Sequence, residues 1–213
     1  MQRQLRTLSS LTDDADGIAQ LQALAGAGNM VLNGALVSGG VATLGTLTGQ
    51  RITLDSAANL AALTFTVTGT DENGRTISEA ITGPNTVPTQ GNSYFQTVTQ
   101  IAVSGGTGVN TVSAGTRATN GAVASAIVTD WYQIAFAASL TVVFDGTLTV
   151  TVQTSADDPY NLTEIPTWFD VSGLTGINSN EQGNIVVPLT MVRLKIDAYT
   201  SGSVTLTYIQ GLI

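Results

Sequence analysis

The chain has 213 residues, a formal net charge of -8 at pH 7, and only 10% of its residues are charged. This balance argues against a nucleic-acid partner, because phosphates need a basic stripe, and the seven cations (Arg3, Arg6, Arg51, Arg75, Arg117, Arg193 and Lys195) form no cluster in the sequence. Neither Cys nor His is present, which removes disulfides, thiolate metal sites and the usual general base at neutral pH.

Gly, Ala, Ser and Thr are abundant while the hydrophobic fraction is 43%. A surface of hydroxyls and small side chains costs little to desolvate, so self-association or packing against a scaffold is expected. No apolar run approaches the roughly 18 residues of a membrane-spanning helix, so no membrane partner is expected. The opening MQRQLRTLSSLTDDADG has two Arg but no apolar stretch before its acidic cluster, unlike a secretory signal.

Residues 1–27 are expected to form a short N-terminal arm. Ile18, Leu21, Leu24 and Ala25 would share one face of a short helix, but Gly17, Gly26 and Gly28 bracket them closely enough for an extended segment. From Met30 the pattern turns to β, with short strands expected over 30–36, 41–44 and 51–54. The breaks fall at Asn33-Gly34, Ser38-Gly39-Gly40 and Thr48-Gly49-Gln50. Over 63–84, LTFTVTGTDENGRTISEAITGP, Leu63, Phe65 and Val67 alternate with Thr64, Thr66 and Thr68. Asp71-Glu72-Asn73-Gly74 supplies a tight reversal, and Ile77 and Ile81 return in phase with Glu79 between them. Pro84 and Pro88 then deny donors to any ladder.

A strand over 94–103 follows, with Val98 out of phase as at a bulge, then a turn over 104–108 and a strand over 109–114. GTRATNGAVAS, residues 115–125, carries no apolar period and reads as a linker. Beyond it, strands are expected over 131–137 and 140–144, a hairpin turn at Asp145-Gly146, and a strand over 147–153. Trp168-Phe169 and 186–189 read as bulky core, with Pro188 favouring an edge. The clearest alternation is Val192, Leu194, Ile196 and Ala198 against Arg193, Lys195 and Asp197. Ser201-Gly202 would join it to a last strand carrying Val204, Leu206 and Tyr208. The economical solution is all-β: two tandem antiparallel β-sandwiches, jelly-roll-like, over 28–118 and 126–213, with an arm over 1–27 and a linker over 119–125.

Candidate chemistry is sparse. The single lysine, Lys195, would be needed for a Ser-Lys pair, but it sits on the polar phase of a strand. Asp157-Asp158 or Asp170 offer carboxylates for glycoside hydrolysis, although such pairs more often form turns. Asp13-Asp14-Ala15-Asp16-Gly17 resembles the front of a calcium loop but has Ala23 where a closing Glu would be. The glycine-rich stretches at 26–28 and 104–108 hold no phosphate-binding motif, and Asn161-Leu162-Thr163 is a glycosylation sequon only in a secreted eukaryotic chain. Tyr160, Trp168 and Phe169 beside Asp157 and Asp158 would suit a sugar platform. No residue is assigned a catalytic, cofactor-binding or metal role, and no enzymatic activity is expected.

The stretches ADGIAQLQALAGAGNMVLNGALVSGGVATL, FTVTGTDENGRTISEAITGPN and YFQTVTQIAVSG resemble a β-rich structural protein of tailed bacteriophages, of the kind encoded among head and tail morphogenesis genes. GTLTVTVQTSADDPYN, PTWFDVSGLTG and GNIVVPLTMVRLKIDAYTSGSVTLTYIQG are similar to the C-terminal half of such a protein. The resemblance implies a virion component assembled in the bacterial cytoplasm, with the major capsid protein or other virion proteins as partners. Its negative charge suits the outside of a DNA-filled shell, because packaged phosphate would repel it. A capsid decoration or cement protein is therefore expected first. A neck or tail subunit forming a ring, and a carbohydrate-binding host-attachment module, are the alternatives.

Overall fold

A computed structural model describes residues 2–9, 11, 13–132 and 136–211. In chain order the strands are β1 (Gln2–Ser9), β2 (Asp14–Gln22), β3 (Gly28–Asn29), β4 (Val37–Ser38), β5 (Val41–Thr43), β6 (Thr48–Asp55), β7 (Thr64–Thr70), β8 (Thr76–Thr82), β9 (Thr89–Phe95), β10 (Thr97–Val103), β11 (Val112–Thr116), β12 (Ala122–Ala124), β13 (Ile127–Val128), β14 (Ala138–Ser155), β15 (Phe169–Asp170), β16 (Glu181–Ile185) and β17 (Met191–Gln210). The chain is all-β with antiparallel pairing, and one 3-10 turn, Ala118–Asn120, is the sole helical element among the described residues. It divides into two compact units, Thr12–Asn120 and a second made of Met1–Leu11 with Gly121–Ile213.

The Thr12–Asn120 unit is a β-sandwich. One layer has the order β9-β6-β11-β2 and the other β4-β5-β10-β7-β8, with β3 also on β10. Alternation along β7 puts Phe65 and Val67 inside and leaves the threonines towards solvent, and Ile77 and Ile81 of β8 join them. Val98, Ile101 and Val103 of β10 complete that wall, packed in one cluster with Ile18, Ile52, Leu54, Phe95, Val112 and Ala114 of the facing layer. Each such side chain, withdrawn from water, contributes about 1.5–3 kcal/mol. The β7–β8 turn forms as its residues dictate. Asp71 Oδ1 accepts from the amides of Asn73 and Arg75, at 2.9 and 2.8 Å, and Gly74 takes φ 83°. The register slips between Val98 and Gln100, the bulge that the phase of Val98 requires.

Sheet edges in this unit are closed by side chains and by irregular main chain, which blunts strand-to-strand aggregation. Glu79 of β8 accepts from the amides of Asn92 and Ser93 in β9, at 2.6 and 2.9 Å, bridging the open ends of the two layers. Along β2, Ile18 O and Gly17 O accept from Gly34 N and Leu36 N, while the Gln22 amide exchanges two 2.9 Å bonds with the main chain of Val31. Residues 30–36, expected as a strand, are thus an irregular cover over β2, because side chains supply several of the bonds a ladder would make.

The other unit is organised by one long antiparallel pair, β14 with β17, whose register runs from Ala138↔Gln210 to Ser155↔Met191. Here the structure corrects the expected turns at Asp145-Gly146 and Ser201-Gly202. Both dipeptides lie inside continuous strands, with Gly146 directly opposite Gly202. A Cβ on Gly146 would stand 2.3 Å from Ser201 O, and one on Gly202 would stand 2.0 Å from Asp145 O. The glycines therefore permit a close backbone approach and need not reverse the chain. On one half of the pair, β16 lies beside β14 and β1 beside β17. On the other half, β15 lies beside β14, and β12 and β13 beside β17. Leu140, Val142, Leu148, Val150, Val192, Leu194, Ile196, Val204, Leu206 and Tyr208 are all buried.

Several other expectations change. Residues 1–27 hold β1 and β2 where an arm was expected. Leu8 and Ile18 give each strand a buried anchor, and Ile18 sits on a strand face where a helix face was the other option. The stretch expected as a linker contains the end of β11 and all of β12. Gly115, Thr116, Ala122, Val123 and Ala124 in it are all buried, and a Cβ on Gly115 would stand 2.0 Å from Asp14 O. Residues 94–103 are two strands broken at Gln96, whose amide donates to Thr70 O. No strand forms over the described part of 131–137, where one was expected: 131 and 132 lie in a turn, 136 and 137 are irregular, and 133–135 lie outside the described residues.

Tyr208 sets an alkaline limit on the second unit. Its buried hydroxyl donates to Gln210 Oε1 at 2.7 Å, and Gln210 in turn exchanges bonds with the main chain of Asp130, at 2.6 and 3.0 Å. Burial, with the Asp130 carboxylate adding to it and a Thr129 hydrogen bond opposing it, pushes the phenol well above its ordinary value. The unfolded chain ionises first, so this stabilisation is complete below pH about 10 and is lost progressively as pH rises towards the folded-state value. Denaturation midpoints measured between pH 8 and 12, a window of about two pH units either side of an ordinary phenol, should fall more steeply for the native chain than for Tyr208→Phe. Parallel curves would refute this.

Candidate functional site

The features that the sequence offered for recognition converge on the loop between β14 and β15, residues 156–168, and its surroundings. Ser155, the last residue of β14, starts the loop: its Oγ accepts from Asp157 N at 3.1 Å and its carbonyl from Thr190 N at 3.0 Å. The loop then holds itself together through its own acids and amides. Asp158 Oδ1 accepts from Tyr160 N at 2.9 Å, Asp157 Oδ2 from Thr167 N at 2.6 Å, and Asn161 Nδ2 donates to Glu164 Oε2 at 3.1 Å. These bonds enclose an open groove of about 520 Å³, walled by Asp157, Asp158, Glu164, Ile165 and Pro166.

Beside the groove stands an aromatic group that sequence reading did not assemble. The rings of Trp131 and Tyr132 are 5.2 Å apart, and those of Trp131 and Tyr160 6.2 Å apart. Trp131 was expected inside a strand, and its 29-residue separation from Tyr160 gave no periodic signal to link them. Tyr132 and Tyr160 are 84% and 73% exposed, and Leu162, Ile165 and Phe169 are also more than half in water. Such concentrated exposed apolar surface is characteristic of a contact region.

The expected sugar platform is rearranged. Tyr160 lies against Trp131, and one face of Trp168 is covered by the Arg193 guanidinium, 4.0 Å from its ring centroid. Arg193 Nε donates to Gln153 Oε1 at 2.9 Å, and Gln153 Nε2 to Asp170 Oδ1 at 2.8 Å, so Trp168, Arg193, Gln153 and Asp170 form one surface network. Trp168-Phe169 is accordingly not core: Phe169 is 64% exposed, because β15 is a two-residue strand lying outside β14. Val186 and Val187 are exposed too, so 186–189 supplies core only through Leu189.

The remaining candidates lie elsewhere or are held in structural bonds. Lys195 pairs with Asp197 at 2.8 Å, and Asp197 also accepts from Thr151 Oγ1 at 2.7 Å, which places the lysine in an outer-face network. Asp14 and Asp16 lie in β2, an extended strand where a calcium-loop front would require a coil. Asn161 Oδ1 accepts from both Thr163 N and Thr163 Oγ1, closing a tight turn at the sequon. Among the described residues no three Asp or Glu side chains are grouped to hold a metal ion, and no helix is long and apolar enough to cross a membrane.

No protein-family model matches this sequence, and no curated protein matches it. Among the solved structures that match are two weak likenesses whose alignments extend over nearly the whole chain. The major capsid protein P2 of bacteriophage PM2 shares 11% identity over 100% of this chain and 98% of its own, with a TM-score of 0.23. Allantoicase from Saccharomyces cerevisiae shares 9% identity over 91% of this chain and 92% of its own, also with a TM-score of 0.23. Likeness at this level assigns no activity to the chain.

Proposed function

We propose that this protein is a non-enzymatic structural component of a tailed-bacteriophage virion, and that it decorates and cements the outer surface of the head. The observation that carries the reading is the exposed group of Tyr132, Tyr160, Leu162, Ile165 and Phe169 on a chain with very few charges. Apolar surface of this kind is covered when a neighbour binds, and the surrounding hydroxyls cost little to desolvate. Support also comes from the sequence resemblance to phage structural proteins and from the acidic balance, which favours the outside of a DNA-filled shell. The carboxylates of the 156–168 loop are engaged in shaping that loop, which fits a binding surface better than proton transfer. Many weak contacts repeated over a lattice would then give the assembly its strength.

The test is binding of the purified protein to heads that lack it. Saturation at hundreds of copies per particle, abolished by Tyr160→Ser with Ile165→Ser while circular dichroism stays native, is the expected result. Saturation at about a dozen copies or fewer would instead indicate a cyclic ring at the neck or tail. No binding to any virion part would end the structural reading. The Trp131, Tyr132 and Tyr160 rings beside Asp157, Asp158 and Glu164 support a second reading, recognition of carbohydrate by aromatic faces flanked by carboxylates. On that reading Tyr160→Ala removes glycan-array binding, whereas Trp168→Ala, already covered on one face by Arg193, has the smaller effect.

A further inference from the structure

We infer that β1 is an exchangeable strand: in solution at high concentration, β1 of one copy pairs with β17 of a second copy, in the register it occupies within a single chain. This goes beyond the virion reading and does not depend on it. β1 is separated from the rest of its unit by the whole of residues 12–120, a unit with its own core. Its ladder to β17 is regular over eight pairs, from Gln2↔Gln210 to Ser9↔Ser203, without a bulge. Main-chain bonds of that kind are indifferent to which copy supplies the strand, so exchange gains and loses the same contacts and is decided by concentration and by the connecting segment.

Two features make β1 suited to leaving and rejoining. Its apolar anchoring is slight: Leu8 is 1% exposed, but Leu5 is 45% exposed, so β1 can detach without dismantling the pairing of β14 with β17. Its register is nevertheless keyed by side chains. Arg6 donates through Nε to Ser125 O and through Nη2 to Ala126 O, at 3.2 and 3.3 Å, and Gln4 Nε2 donates to Val128 O at 3.1 Å. A detached β1 leaves behind a row of β17 donors and acceptors, a socket for Leu8 and three main-chain carbonyls. The segment that fits all of these is β1 of another copy. An uncovered edge of this length is adhesive to strands in general, and the keyed side chains select this one.

The absence of cysteine makes the test direct. Thr7 and Thr205 are opposed, with hydroxyls 2.9 Å apart on the exposed face, so cysteines there sit within disulfide reach. Two differently tagged full-length chains, one Thr7→Cys and the other Thr205→Cys, are mixed at high micromolar concentration, incubated and then oxidised. The expected product is a covalent heterodimer whose 7–205 link is mapped by mass spectrometry, with a yield that falls on dilution. The opposed pair Leu5→Cys and Thr207→Cys provides a second, independent readout should one cysteine disturb folding. If neither mixture gives heterodimer, while the Thr7→Cys/Thr205→Cys double variant closes within its own chain, β1 stays in its own copy and the inference is overturned.

Discussion

Arg75→Ala is expected to cost the Thr12–Asn120 unit about 3–5 kcal/mol, the range for removing one partner of a buried ion pair. Arg75 is 1% exposed and reaches Asp71 at 3.5 Å, while Asp71 and its neighbour Glu72 are themselves buried. Truncation leaves carboxylate charge out of water without its cation. The two amide bonds to Asp71 Oδ1 soften that loss but cannot neutralise it. Arg75→Lys should recover only part of the stability, because an ammonium cannot reproduce the fork of donors that a guanidinium presents. Equilibrium denaturation at neutral pH with an unchanged slope reads the loss as a shift in midpoint. A shift worth less than about 1 kcal/mol would place Arg75 among ordinary surface pairs and refute the argument.

Phe65→Ala should be comparably severe, again about 3–5 kcal/mol, for a different reason. The ring is fully buried between the two layers, in one cluster with Phe95, Ile101 and Ile52, and its neighbours belong to sheets that cannot collapse far into the space it leaves. Phe65→Leu, which keeps most of the volume, should cost about 1.5 kcal/mol or less. Equal losses for the two variants would mean that the site tolerates no change of shape at all. A negligible loss for Phe65→Ala would mean that the two layers do not close on this residue. Calorimetry distinguishes these outcomes.

The two residues differ in how visible their roles are before folding. Phe65 declares itself, because Leu63, Phe65 and Val67 alternate with threonines and a half-buried strand is the one regular element that uses that period. The Asp71–Gly74 turn is equally local: an Asx bond and a positive φ need nothing from the rest of the chain. Arg75 reads as an ordinary polar residue at a strand start, since no local pattern encodes burial of a charge. At the candidate site, the sequence drew attention to Asp157, Asp158, Tyr160, Trp168 and Phe169. It did not reveal that Trp131 and Tyr132 join Tyr160, or that Arg193 covers Trp168. Those contacts join loops and strands that no sequence period connects.

The amino-acid order alone determined the β class, the alternating faces and the shape of the β7–β8 turn, because side-chain period and turn dihedrals are properties of a few consecutive residues. Tertiary structure decided how strands far apart in sequence were partnered. It ran β14 and β17 straight through Gly146 and Gly202, where local signals suggested reversals, because each glycine makes room for the opposite backbone. It also placed β1 beside β17, although residues 12–120 intervene between them in the sequence. Partnering of this kind follows from which edges remain unpaired once every other strand has found its neighbour, and no short stretch of residues carries that information.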